Sequence, residues 1–312
     1  MPHLPTTFVH EFKSPAAFST AGTAVALAFG ADNRLLATGG EGATVDLWDA
    51  LEARQLAALS GHQSSKLMNT VLSLAFSPDG QLLASGGHDK TVRLWSAANG
   101  ECVNVLSGFS GGVHRLAFHP TARILAAADE DAVRLFDLGS GAVLPIPLPE
   151  GGINGIAFSP NGSMLAVAPG GKAKRGGHAI ALVDPATGQT LRTIGGDDFP
   201  ARGIAFSPDG RTLAAAPREG AKIWLYDTAS WQLTRTLKAP SYVVNDLAFS
   251  SQGALGAAID DRVSLWDLAT DDKPAAAKVP FRRNSEVETL AFSPDGQLLA
   301  TCRRGKSVHI YR

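Results

Sequence analysis

The chain has 312 residues and a mass of 32.5 kDa, enough to bury a sizeable core with no disulfide or metal to staple it. Lysine plus arginine total 28 and aspartate plus glutamate 29, and a net charge of −1 argues against a protein that coats nucleic acid and against an acidic disordered tail. Apolar residues at 45% against 18% charged exclude a disordered chain, while 33 glycines and 18 prolines predict many turns.

The N-terminal residues, MPHLPTTFVHEFKSP, lack a basic region followed by a long apolar stretch, so no secretory leader is expected. His10-Glu11 has no second histidine four residues on and is no zinc-protease pair. Thr6–Phe12, reading TTFVHEF, is taken as a strand. The most apolar window, Ala21–Ala31, is far short of the ~20 residues that span a bilayer. A repeat then takes over. LAFSPDG occurs at Leu74–Gly80 and Leu290–Gly296. Variants are LAFGADN at Leu27–Asn33, LAFHPTA at Leu116–Ala122, IAFSPNG at Ile156–Gly162, IAFSPDG at Ile204–Gly210 and LAFSSQG at Leu247–Gly253. Their phenylalanines, Phe29, Phe76, Phe118, Phe158, Phe206, Phe249 and Phe292, recur at spacings of 40 to 48 residues.

The second copy shows what each unit contains. Pro78 presets φ, Asp79 tolerates the bridge region and Gly80 takes the left-handed position, so SPDG is a turn. A short strand at Leu82–Ser85 follows, then Gly86, Gly87, His88 and Asp89. Thr91–Trp95 alternates polar and apolar as a half-buried strand does, and Glu101–Leu106 supplies a fourth. Four strands in about 44 residues, with no helical period, read as one propeller blade. First strands are expected near 23–29, 70–76, 112–118, 152–158, 200–206, 243–249 and 286–292, within one domain over 1–312. Blade seven has strands at Glu286–Phe292, Leu298–Cys302 and Ser307–Tyr311, after which only Arg312 remains. A three-stranded blade would leave an open edge. Thr6–Phe12 is therefore expected to pair antiparallel with Ser307–Tyr311. Its Phe8 and Phe12 match the spacing of Leu233 and Leu237 in blade five's fourth strand.

With seven copies in phase, the chain resembles the WD40-repeat proteins. The tryptophan-aspartate pair appears as Trp48-Asp49 and Trp266-Asp267. It is degenerate as Trp95-Ser96, Phe136-Asp137, Val183-Asp184, Tyr226-Asp227 and Tyr311-Arg312, and glycine-histidine occurs once, at Gly61-His62. The resemblance implies an all-β, seven-bladed β-propeller of four-stranded antiparallel blades, with the ring closed by the N-terminal strand; of function it says little. It also implies a structural role for His62, Ser85, Asp89 and Trp95, a set that could be mistaken for a catalytic triad. The histidine would link aspartate to serine, and the serine would reach the indole N–H. Blade one has Thr38 and Trp48 but Gly42 where the aspartate belongs. The remaining blades are expected to lack the network and to rely on apolar packing.

Other motifs fail. Gly170–His178, GGKAKRGGH, is glycine-rich and basic but has no G-K-[ST] ending, and reads as a loop. Two cysteines, Cys102 and Cys302, rule out a disulfide scaffold and a four-cysteine zinc site. They fall in blades that are not neighbours, and both are expected to be core thiols. No metal and no cofactor is expected, and the compartment is read as cytoplasmic.

The resemblance places the residue four before each strand-one phenylalanine at the channel mouth, on the loop-rich face. These are Val25, Leu72, His114, Asn154, Arg202, Asn245 and Glu288, five of them polar and from consecutive blades. His88, Arg282, Arg283 and Arg304, on loops of that face, join them as partner- or ligand-binding candidates. Asp129-Glu130-Asp131 is read among the same solvated loops. The expected function is a non-catalytic scaffold binding a protein or peptide partner there, as a monomer, with no nucleic acid and no membrane. The alternative is an enzyme or small-molecule propeller. In it Glu288 and His114 would be acid and base, Arg202 the anion stabiliser, and Asn154 and Asn245 orienting groups.

Overall fold

The computed structural model describes residues 8–13, 24–63, 70–147, 152–170, 179–195, 201–217, 220–269, 275–276, 286–303 and 307–312. These form seven four-stranded antiparallel sheets, and no helix occurs among them. In six sheets the strands lie in chain order, and the innermost lines a central channel. The first strands are Ala24–Phe29, Val71–Phe76, Arg115–Phe118, Ile153–Phe158, Ala201–Phe206, Val244–Phe249 and Val287–Phe292, each ending on the repeated phenylalanine. Blade three starts late. The N–H of Val113 goes to the Gly87 carbonyl of blade two, 3.0 Å away, so that stretch is drawn toward its neighbour.

Local chemistry builds each blade. In the SPDG turn of blade two the Ser77 hydroxyl donates to Asp79 and accepts the Leu82 N–H at 2.9 Å, and Gly80 sits at φ +69°. The same bonds recur at Ser207 with Asp209 and at Ser293 with Asp295. Second strands such as Leu165–Pro169 and Leu255–Ile259 are buried at every position. Each is covered on both faces by the neighbouring blades, so small apolar side chains suit both. That is where the many alanines go.

Seven apolar clusters hold the described residues, one at each seam between neighbouring blades. The seam that shuts the ring joins Phe29, Leu36 and Trp48 of blade one to Ala300, Val308 and Ile310 of blade seven. In the seventh sheet the outer strand is Phe8–Lys13, antiparallel to Ser307–Tyr311, with Phe8 opposite Tyr311 and Lys13 opposite Ser307. The expected pairing is present with its bounds moved from 6–12 to 8–13; residues 6 and 7 lie outside the described residues. An irregularity in the ladder falls between Phe8 and His10.

One cysteine departs from expectation. Cys302 is fully buried in blade seven, where burial pushes its thiol pKa well up and Glu288 adds to the effect. Cys102 is exposed, because it opens the outer strand Cys102–Leu106, whose solvent side nothing covers.

Candidate functional site

The Ser/His/Asp set of blade two is a closed network. His62 Nδ1 lies 3.0 Å from Asp89 Oδ2, and His62 Nε2 lies 2.7 Å from Ser85 Oγ. The Trp95 indole N–H donates to Ser85 Oγ at 2.8 Å. Asp89 also accepts the Gln63 N–H at 2.9 Å and both donors of Thr91. Burial pulls the His62 pKa down, outweighing the attraction of Asp89, so the ring is neutral at pH 7. Ser85 is fully buried and spends its oxygen on the histidine and the indole.

Among the described residues no other blade completes this four-residue set, yet blades one, three and six keep parts of it. Blade one keeps the indole half, with Trp48 Nε1 donating to Thr38 Oγ1 at 2.9 Å. Blade three keeps the carboxylate half. Asp129 is fully buried and is no part of the solvated loop surface. It accepts N–H groups from Ser110, Asp131 and Ala132, the Ser110 hydroxyl, and Arg134 Nη1 at 3.2 Å. Burial works to raise its pKa, yet the backbone and hydroxyl donors prevail and hold it at about 2. In blade six the Ser241 hydroxyl donates to Asp260. The carboxylate ties of blades two, three and six each join the loop before a first strand to the loop after a second. The histidine is one donor among several, so a search for histidine finds one blade of three.

The channel mouth is the second candidate. Six of the seven first strands carry a β-bulge, and the unpaired residue is Val25, Leu72, Asn154, Arg202, Asn245 or Glu288. These are the positions four before each phenylalanine; in blade three His114 takes the place. A bulge re-aims its side chain, and here it turns an in-sheet residue toward the lumen. A cavity of about 550 Å³ opens there, lined by Val25, Leu72, His114, Arg202, Asn245 and Glu288 of this tier. Asn154 is not among the lining residues; its carbonyl accepts Arg115 Nε at 2.7 Å.

The polar groups meet in specific pairs. Arg202 Nη2 lies 3.8 Å from Glu288 Oε2, across from blade five to blade seven. His114 Nε2 lies 3.6 Å from Glu130 Oε1, and its ring packs edge-on to His88 at 6.1 Å. Burial, then the charge of Arg115, push the His114 pKa down. The amide of Asn245 is committed to the Val287 carbonyl at 3.0 Å, a structural tie between blades six and seven.

Sequence reasoning missed the tier below, three residues before each phenylalanine: Ala26, Ser73, Arg115, Gly155, Gly203, Asp246 and Thr289. Five of these seven line the cavity, all but the two glycines. A Cβ at Gly155 would stand 3.0 Å from the Arg202 carbonyl, and one at Gly203 3.1 Å from Leu247 N, so glycine lets these strands close up. The signal was present as two charged residues in a column otherwise small or hydroxylic.

A family model described as "WD domain, G-beta repeat" matches residues 11–49, 53–96, 100–137 and 280–312. The chain carries WD40 repeats. Among its relatives is the WD repeat-containing protein VIP3 of Arabidopsis thaliana, 34% identical over 90 residues. That stretch is 28% of this chain and 26% of the relative, so the likeness spans about a quarter of that protein. Blades four to six of this WD40 propeller fall outside the family matches and are recognised by their turns and sheets. Of the remaining loop candidates, Arg282, Arg283 and Arg304 lie outside the described residues. His88 is half-buried, its N–H bonded to the Thr70 carbonyl at 3.0 Å. No group of three or more His, Cys, Asp or Glu among the described residues is placed to hold a metal ion.

Proposed function

We propose that this WD40 propeller is a rigid, non-catalytic scaffold that captures a protein or peptide partner on the loop-bearing face, at the mouth of the central channel. The observation that carries this is the ring of bulges. It presents His114, Arg202 and Glu288 beside the apolar Val25 and Leu72 around one cavity. A fixed rim of mixed charge with apolar patches suits a partner side chain or loop. The acid–base alternative draws less support, since Asn245 is spent on a backbone carbonyl and Arg202 already faces Glu288. We further propose a cytoplasmic monomer that binds neither nucleic acid nor membrane, on the near-neutral charge and a sequence with only two cysteines; sedimentation of the pure chain checks the monomer.

The test places a photo-crosslinking residue at Leu72, on the rim, or at Gln81, on the opposite face, in the full chain expressed in its own cells. Adducts from Leu72 that weaken about tenfold or more with Arg202→Ala or Glu288→Ala are expected. Adducts formed from Gln81 alone, or indifferent to both substitutions, would refute the assignment.

A further inference from the structure

The lower tier of the channel carries one cation and one anion, and they do not touch. Arg115 of blade three gives Nε to the Asn154 carbonyl at 2.7 Å and Nη1 to the His114 carbonyl at 3.0 Å. Two bonds to fixed carbonyls lock the guanidinium, and no protein acceptor engages Nη2 among the described residues. Asp246 of blade six takes the Leu247 N–H on one oxygen and the Thr289 hydroxyl and Leu290 N–H on the other. Those donors lock the carboxylate as firmly. Blades four and five stand between the two charges on one side of the ring and place only Gly155 and Gly203 at this level. Both charged groups line the one cavity. Burial pulls the arginine pKa down and pushes the aspartate up, and their mutual attraction, with the hydrogen bonds to Asp246, offsets this only in part. On the blade-one and blade-two side Val25, Leu27, Leu72 and Leu74 line the cavity together with Glu41, Thr70 and Ser73.

We propose that this cavity binds a small zwitterion bearing an apolar group, an apolar α-amino acid. Its carboxylate meets Arg115, its ammonium meets Asp246, and its side chain lies on the blade-one and blade-two wall. Fixed groups of opposite sign recognise a ligand that carries both signs, because each charge is met by a partner that is already oriented. A ligand with only one of them leaves the other protein charge buried and unmet. The cavity, at about 550 Å³, lies in the range of small-molecule sites and admits such a ligand with room for water. This inference shares its cavity, Val25 and Leu72 with partner capture at the rim but takes its charges from Arg115 and Asp246; analogue binding tests it while crosslinking from Leu72 tests the rim, so the two failures are distinguishable.

Isothermal titration and thermal melting of the full chain test it, with L-leucine as probe. Isoamylamine lacks the carboxylate, 4-methylpentanoate lacks the ammonium and glycine lacks the apolar group. Leucine is expected to bind and raise Tm, and each of the other three to bind about tenfold more weakly or worse. Arg115→Met should abolish the preference for leucine over isoamylamine, and Asp246→Asn the preference over 4-methylpentanoate. These analogue comparisons on the unmodified chain decide the matter even if either variant fails to fold. No heat and no Tm shift with leucine up to about 10 mM, or equal binding of leucine and both single-charge analogues, would overturn it.

Discussion

Replacing Asp129 with alanine should destabilise the propeller at neutral pH and flatten its response to acid. The carboxylate is fully buried and serves three backbone N–H groups, a hydroxyl and a guanidinium. Removing it strands those donors, at a cost of about 3–5 kcal/mol. The acid response follows from the pKa, which lies at about 2 in the fold against 3.8 for an ordinary aspartate. A depressed carboxylate pKa stabilises the fold above the unfolded value, and that contribution is lost as pH falls through the folded one. At 1.36 kcal/mol per unit the linked contribution is about 2 kcal/mol, in full force above about pH 5. About half is gone by pH 3, and most of the rest by pH 2. Urea melts of the wild type and Asp129→Ala at steps from pH 7 to pH 3 should show a gap that narrows by about 1 kcal/mol over that range. Asp129→Asn, which keeps one carbonyl acceptor, should fall between them at pH 7. A gap that stays constant with pH, or an alanine variant as stable as wild type, would refute the clamp.

The Trp266 indole N–H is buried with no acceptor, and Ala257 occupies the place that Ser85 and Thr38 hold opposite their tryptophans. Ala257→Ser should therefore raise stability by about 1 kcal/mol in urea melts, and a loss would show that the hydroxyl cannot be housed. Removing residues 1–13 takes away the outer strand of blade seven at the seam of the ring, and should lower Tm of the whole domain; a change within about a degree would count against closure by that strand. With a thiol reagent in native buffer, Cys102 should react promptly and Cys302 only on unfolding, as mass mapping of the two peptides would show.

Much of the fold was legible because its signals are local. The SPDG turn closes through its own serine, aspartate and glycine within five residues, so the string names the structure wherever it recurs. Alternating strands and the seven phenylalanines set the blade count and register, and in six blades the position four before the phenylalanine falls on a bulge. A missing fourth strand in blade seven and a spare one near the N-terminus called for closure, because an unpaired edge is costly whatever the rest of the chain does.

What the sequence could not determine were contacts between residues far apart in the chain. Nothing local distinguishes Asp129, buried and fully bonded, from Glu130 beside it, which is exposed; that depends on Ser110 arriving from the preceding loop and Arg134 from the next strand. Cys102 and Cys302 both sit in strand sequences, and only the order of strands from channel to rim puts one in water and the other in the core. Asn245 looked available until blade seven brought the Val287 carbonyl to its amide. Arg115 and Asp246 are 131 positions apart, and each alone reads as an odd charge in an apolar strand. Closing the ring sets them at one level of the same channel, because a propeller places equivalent positions of every blade around a single axis. Local chemistry therefore determined the blades and their register, and only the closed ring decided which side chains share a space.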